Sequence, residues 1–466
     1  MGVQDWLSEA SRQWPHYTYL ESLDERFTFS DVESLVASRA GSLREQGVGL
    51  GTRVAVHGAN SVETVVAILS VMRAGGVVVP LGPRLTEAEL SQQIASSGTS
   101  AIIAVDQSLP PLAVPLLDGV SLGTPVVGTV HHDREECAIV HTSGTSGPAR
   151  GVRLSYGNFE SSAAGSAAHL RHVAADRWLN VLPVHHVGGL SVVIRSAREG
   201  STVVLRDRFS ADEMATDLSN VSLASLVPTM LTQVLPLLTA PLSGLRAILL
   251  GGGPVPRTLL EQAQEKGIAV LPTYGQTEAA SQVASCPLDA PNGRLLRPLK
   301  GMEVRIVGVG RKPLARDIVG KIEIRGPQVF LGYDAGPGRS TADWHTTGDL
   351  GSVDAQGLLA VSGRADSVIV SGGENVHPSE VVDALLRAGV QEAAVFGVPD
   401  ETWGNVVVAA VVTAFTVREL ENAVRVDLAG FKIPRRWVLV DELPRDPMGK
   451  LVHADLSALL NDDGDV

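Results

Sequence analysis

Six short stretches hold residues suited to binding and polarising anions. The first is His141-Thr-Ser-Gly-Thr-Ser-Gly-Pro-Ala-Arg-Gly151, which follows a short apolar run. Gly144 and Gly147 let backbone N–H groups converge on one point, and the hydroxyls of Thr142, Ser143, Thr145 and Ser146 add further donors. No Gly-Lys-Ser/Thr follows at the spacing of a Walker A loop. The stretch suits a phosphate cradle, and its composition alone also suits a solvated linker.

The other five are more ambiguous one at a time. Leu249-Leu-Gly-Gly-Gly-Pro254 ends an apolar strand in Gly251, Gly252 and Gly253, as a tight turn or as a bed for a flat ligand. Tyr274-Gly-Gln-Thr-Glu278 sets an aromatic, a hydroxyl and a carboxylate at the end of another strand. That set can stack a base, hold a phosphate and bind Mg²⁺, or make an ordinary turn. Trp344-His-Thr-Thr-Gly-Asp-Leu-Gly351 puts Asp349 in a glycine-flanked turn, and Arg364 and Asp366 open the run Gly363-Arg-Ala-Asp-Ser-Val-Ile-Val-Ser-Gly-Gly-Glu-Asn375. An aspartate can clamp a ribose diol, with an arginine reaching the same hydroxyls or a phosphate. Pro444-Arg-Asp-Pro-Met-Gly-Lys450 ends on a lysine, a movable point charge suited to an anionic transition state or simply to solvent.

The elements that must position these residues read as follows. Ser30-Asp-Val-Glu33 has the form of a capping box opening a helix to Gly47. Asn60-Ser-Val-Glu63 caps a second helix that Gly75-Gly76 ends, and Thr86-Glu-Ala-Glu89 opens a third. Apolar strands are expected over 54–57, 77–81, 101–105, 138–141, 179–182, 202–205, 223–227, 247–250 and 269–272. This alternation predicts an α/β fold, with mostly parallel sheets covered by helices. From about 304 to 370 short strands between Gly and Asp turns predict a β-rich subdomain. The tail predicts a small, mobile α+β domain with helices near 378–388 and 416–428. The division expected is 1–363 and 364–466.

At 466 residues the chain exceeds one ordinary core. Its net charge of −13 disfavours a nucleic-acid partner, though not a small nucleotide held by local dipoles. Cys137 and Cys286 form no CxxC pair and read as inert buried thiols. The N-terminus lacks the form of a signal peptide and no apolar run reaches a membrane span, so a cytoplasmic protein is expected, and the sequence allows a homo-oligomer. Of 38 basic residues only six are lysines, and none precedes Lys266, so a lysine at 450 invites a specific explanation.

In order and setting, these segments resemble the adenylate-forming superfamily, which includes acyl-CoA synthetases, peptide-synthetase adenylation domains and firefly-type luciferases. The resemblance runs from about Phe27 to Lys450. It implies an enzyme that uses ATP and Mg²⁺ to convert a carboxylic acid to its acyl-AMP, then passes the acyl group to a thiol such as that of coenzyme A. By that resemblance the loop 142–147 holds the β- and γ-phosphates, and Gly251 to Gly253 and Tyr274 flank adenine. Thr277 contacts the α-phosphate, Glu278 ligates Mg²⁺, and Asp349 and Arg364 hold the ribose. Lys450 bridges the attacking carboxylate and the α-phosphate, and Asp366 occupies the hinge. One departure stands out: the family's loop usually ends Pro-Lys-Gly, and here it reads Pro148-Ala-Arg-Gly151.

Three segments resemble the o-succinylbenzoate–CoA ligases of menaquinone biosynthesis: Leu182-Pro-Val-His-His-Val-Gly-Gly-Leu190, Ile248-Leu-Leu-Gly-Gly-Gly-Pro-Val-Pro256 and Tyr274-Gly-Gln-Thr-Glu-Ala-Ala-Ser-Gln282. This implies that His186 lies at the acid pocket, lined by Gly188, Gly189 and Ser281. Arg195 is then placed to pair with a second carboxylate, or it is a solvated charge on a helix face. His185-His186 lacks a third ligand at metal spacing. Another aryl or medium-chain acid, or a carrier protein in place of coenzyme A, remain the alternatives.

Overall fold

Alternation along the buried strands sorts their side chains onto two faces and so fixes the layers. The protein is described by a computed structural model over residues 2–105, 109–142, 149–334, 336–445, 451, 452, 456 and 459. A nine-stranded sheet runs in the order Arg297–Pro298, Ser281–Ser285, Val270–Gln276, Ala247–Leu250, Leu223–Leu226, Arg177–Asn180, Thr202–Leu205, Thr18–Glu21, Arg26–Thr28. The strands from Val270–Gln276 through Thr18–Glu21 are mutually parallel, with antiparallel strands at both margins. Leu179, Val204, Ala224, Leu226, Ile248 and Leu250 meet the outer helices Ala211–Asp217, Pro228–Val234 and Arg257–Glu265. Trp178, Val203, Leu205, Leu223, Leu249 and Leu271 face the other way, onto the central core.

That core contains the helices Phe29–Glu45, Val62–Ala74, Tyr156–Leu170 and Val187–Glu199. Beyond them lies a six-stranded sheet, ordered Gly332–Tyr333, Gly151–Ser155, Glu136–His141, Val77–Leu81, Arg53–His57, Ala101–Ala104. Its far face (Ala55, Val77, Val79, Ile102, Ile139) is covered by Leu90 and Ile94 of the helix Glu87–Ser96. The result is five alternating layers of helix and sheet. The carboxyl ends of the two sheets meet, because the Asn60 side chain donates to the carbonyls of Leu182 and Arg206 and accepts from the Val184 N–H at 2.7 Å. The crevice at the strand ends is where an open α/β sheet binds its ligands.

Two helix starts differ from the sequence reading. The capping box of the first long helix is Thr28 with Asp31, not Ser30 with Glu33. The second helix is capped by Ser61, which accepts from Thr64, and this frees Asn60 for its role between the sheets. Thr86 opens the third helix as expected, and with Glu89 it forms a capping box.

The β-rich region is an antiparallel sheet of Glu303–Val307, Gly320–Arg325, His345–Val353 and Leu359–Arg364. Asp349 therefore lies within a nine-residue strand and not in a turn. Two threonines, two glycines and an aspartate hide the strand's period, and its irregular register lets the glycines fit. After Ser367 a further three-stranded sheet, Glu392–Asp400, Gly404–Val412 and Arg436–Leu439, packs on both faces. Val407, Ala409 and Val411 meet the helices Pro378–Arg387 and Val417–Val424, while Val406, Val408 and Ala410 meet Val438, Leu443 and Leu456. These two clusters contain only residues from 369 onward. No helix among the described residues is long and apolar enough to cross a membrane.

Candidate active site

The strand Leu359–Arg364 pairs Arg364 directly opposite Asp349. Gly348, at φ +84°, carries no side chain to collide with the guanidinium, whose nitrogens lie 3.2 Å from where a Cβ would stand. Tyr274, at the end of Val270–Gln276, donates its hydroxyl to Asp349 Oδ2 at 2.6 Å. Burial raises the Asp349 carboxyl above the usual range, opposed by the Tyr274 hydrogen bond and by Arg364, and burial also pushes the Tyr274 hydroxyl up. Arg364 Nη1 stands 3.5 Å from Asp349 Oδ1 and the same guanidinium donates to both oxygens of Asp366. Gly251 ends the adjacent strand, with room for a Cβ denied by Thr273 at 2.9 Å, and Gly252 takes φ +83°. Two neighbouring paired strands and a third, 75 residues earlier at Tyr274, thus bring an aromatic ring, a carboxylate and a guanidinium together. That is a set suited to a base and a ribose diol.

Beyond Tyr274 the chain turns through Thr277–Ala279, leaving Glu278 buried at 8% exposure. Tyr333 donates its hydroxyl to Glu278 Oε1 at 2.8 Å, and Oε2 has no hydrogen-bond partner among the described residues. A hard carboxylate oxygen so placed fits Mg²⁺, which takes one or two protein carboxylates and otherwise nucleotide phosphates and water. The described residues contain no group of three or more His, Cys, Asp or Glu arranged for a metal. At the described ends of the loop expected to bind phosphate, Thr142 N–H donates to Arg150 O at 3.1 Å. Ser143, Gly144, Thr145, Ser146, Gly147 and Lys450 lie outside the described residues.

The third part is built around a strained turn. Ala280 and Ser281 have φ of +47° and +100°, and Ser162 Oγ donates to the Ala280 carbonyl at 2.7 Å. Gly275 sits opposite, where a Cβ would overlap the Ser281 carbonyl oxygen. The helix Val187–Glu199 presents Ser191 and, one turn on, Arg195. Ser191 Oγ reaches the same carbonyl at 3.4 Å, and Arg195 Nη2 lies 3.5 Å from Ser162 Oγ. Arg195 is only 3% exposed, its Nε has no partner among the described residues, and its guanidinium lies 5.9 Å from the Trp178 ring. Burial pushes its pKa down to about 9, which leaves it charged at neutral pH. The solvated-charge reading of Arg195 is therefore overturned.

His186 caps that helix without a side-chain cap bond, and its ring lies 4.5 Å from that of His185. Burial pushes His185 down to about 3, so it is neutral, and a Cβ on Gly82 would stand 2.7 Å from its Nε2. Gly188 and Gly189 belong to the first turn, and a Cβ on Gly189 would overlap the carbonyls of Leu182 and Pro183. Sequence reasoning missed Tyr333, 55 residues from Glu278, and Ser162, 118 residues from Ala280, because neither lies in a motif of its own. It also missed Gln276, whose buried Nε2 is unpartnered among the described residues, although it sits inside a motif already singled out.

Residues 7–334 match the family of AMP-binding enzymes, and residues 384–450 match the AMP-binding enzyme C-terminal domain. The 2-succinylbenzoate–CoA ligases of Bacillus cereus and Bacillus cytotoxicus are each 35% identical to the chain, with 99% of both partners covered. Among solved structures, o-succinylbenzoate CoA synthetase (MenE) from Bacillus subtilis in complex with the acyl-adenylate intermediate OSB-AMP superposes with a TM-score of 0.87. That match has 29% identity and covers 100% of this chain and 99% of the other. The same Bacillus subtilis protein in complex with ATP and magnesium ion gives 0.88 at 31% identity, covering 98% and 100%. ATP-bound MatB from Rhodopseudomonas palustris gives 0.88 at 25% identity, with 99% of each covered.

Proposed function

Because the chain belongs to the AMP-binding enzyme family, we propose that it activates o-succinylbenzoate with ATP as an acyl adenylate and passes the acyl group to coenzyme A. The observation that carries the choice of acid is Arg195. Enclosing a cation costs several kcal/mol unless an anion joins it, and no carboxylate of the described residues does so. A substrate with a second carboxylate supplies that partner, one serine away from the Ala280–Ser281 turn. Benzoate and octanoate do not. A cytoplasmic enzyme of menaquinone biosynthesis, in which ATP and coenzyme A are at hand, fits this reading.

In the first half-reaction a carboxylate attacks a phosphate, so two like charges must approach. The site therefore has to supply orientation and positive charge more than acid–base groups. Asp349 and Arg364 hold the ribose, Tyr274 and Gly251 to Gly253 enclose the adenine, and Thr277 reaches the α-phosphate. Residues 142–147 cradle the outer phosphates. Glu278 would hold Mg²⁺, which when bound neutralises charge on the phosphoryl oxygens. Lys450 joins the attacking carboxylate to the α-phosphate. His186, Gly188, Gly189 and Ser281 line the acid, and Arg195 fixes its far end. Residues 364–466 then rotate about Asp366, withdrawing Lys450 and opening the mixed anhydride to the thiol.

ATP–pyrophosphate exchange tests the first half-reaction. We expect exchange with o-succinylbenzoate and little with benzoate or octanoate, and its collapse in Lys450→Ala while ATP binding persists. Equal exchange with the monocarboxylates would remove the role given to Arg195. Undiminished exchange in Lys450→Ala would remove that of the lysine.

A further inference from the structure

The phosphate loop of this chain ends in Arg150 where its family usually has lysine, and the arginine uses a property that lysine lacks. Its guanidinium lies over the Tyr333 ring, 4.3 Å from the centroid, and it forms no ion pair among the described residues. A planar, weakly hydrated cation stacks on an aromatic face, whereas an ammonium remains a hydrated point charge. Tyr333 in turn donates to Glu278 Oε1 at 2.8 Å.

The backbone around Tyr333 is tied to both neighbours. Tyr333 pairs with Val152 and Gly332 with Arg153, on the strand that directly follows the loop. The Asp334 N–H donates to Gly151 O at 2.9 Å, and the Asp334 carboxylate accepts from Gly151 N–H at 3.2 Å. On the other side Phe330 N–H donates to the Glu278 carbonyl at 2.9 Å. One short segment therefore touches both the end of the phosphate loop and Glu278.

We infer that Tyr333 is a positioning residue that couples the phosphate loop to the metal-binding carboxylate. Arg150 fixes the ring by stacking, and the ring fixes Glu278 through its hydroxyl. The inference rests on the reading of Glu278 as the Mg²⁺ ligand. It assigns Arg150 a role as a plane more than as a charge, so lysine at 150 does not replace it. A second-sphere hydrogen bond of this kind contributes about ten-fold to metal affinity.

The test is calorimetric binding of ATP at graded Mg²⁺ without acid or turnover, on the full chain and on Tyr333→Phe, Arg150→Lys, Arg150→Ala, Glu278→Gln and the double variant Arg150→Ala/Tyr333→Phe. Phenylalanine keeps the ring and its stack and removes only the hydroxyl, so its fold is expected to survive. We expect Tyr333→Phe to raise the half-saturating Mg²⁺ about ten-fold, and Arg150→Lys and Arg150→Ala to raise it alike. The double variant should be no worse than Tyr333→Phe, since both act through one bond. Unchanged Mg²⁺ dependence in Glu278→Gln would remove the metal-ligand reading itself. A shift in Glu278→Gln with none in Tyr333→Phe would overturn the coupling alone, as would additive effects of Arg150→Ala and Tyr333→Phe or full function in Arg150→Lys.

Discussion

At the scale of single residues, the site's cations sit under unequal strain. Arg364 shares its charge between Asp349 and Asp366, while Arg195 is enclosed with Ser162, Trp178 and no carboxylate of the described residues. An unpaired buried cation is destabilising, and an apolar side chain of similar length removes that cost. Arg195→Met should therefore raise the thermal midpoint. Loss of a charge-assisted bond to the substrate should lower kcat/KM for o-succinylbenzoate roughly 10- to 100-fold, with KM for ATP little changed. Thermal melts and steady-state kinetics on the same preparation check both halves. A lower midpoint with full activity would mean that Arg195 is structural. Tyr274, Asp349 and Arg364 were legible because each lies in a glycine-rich motif of unusual composition. The burial of Arg195 was not, because a helix enclosed on several sides shows no polar face from which to read a direction.

At the scale of elements, legibility followed the strength of the period. The parallel strands were readable as apolar runs, and most were found within two residues, since strands buried on both faces carry no polar interruptions. The strand His345–Val353 was read as a turn because its Thr, Gly and Asp residues are those of a turn, and only pairing with its neighbours makes it a strand. Helix starts slipped by one or two positions where several capping residues adjoin, as at Thr28, Ser30 and Asp31. The junction after Arg364 is a short 3-10 turn, Ala365–Ser367, with Asp366 anchored to the Arg364 guanidinium. The proposed rotation there requires backbone freedom, which proline removes by fixing φ. Asp366→Pro should slow thioester formation on the order of ten-fold more than adenylate formation, while Asp366→Asn, which keeps the backbone free, should not. Single-turnover measurement of each half-reaction decides. Equal slowing of both steps in the proline variant would contradict a hinge at this residue.

At the scale of the whole molecule, a chain of net charge −13 still sets arginines beside its candidate site residues. Arg150 lies over the Tyr333 ring, Arg195 beside Ser162 and Arg364 beside Asp349, while Asn60 ties the ends of the two sheets together. The sequence order of the motifs carried the functional reading, because one motif suits many turns and six in order suit few proteins. Distances between them, and the links through Tyr333 and Ser162, arise only on folding. The most direct test of the account is mass spectrometry of the products formed from ATP, Mg²⁺, coenzyme A and an equimolar mixture of o-succinylbenzoate, benzoate and octanoate. The account predicts o-succinylbenzoyl-CoA and AMP as the dominant products. A dominant benzoyl- or octanoyl-CoA, or cleavage of ATP to ADP, would contradict it.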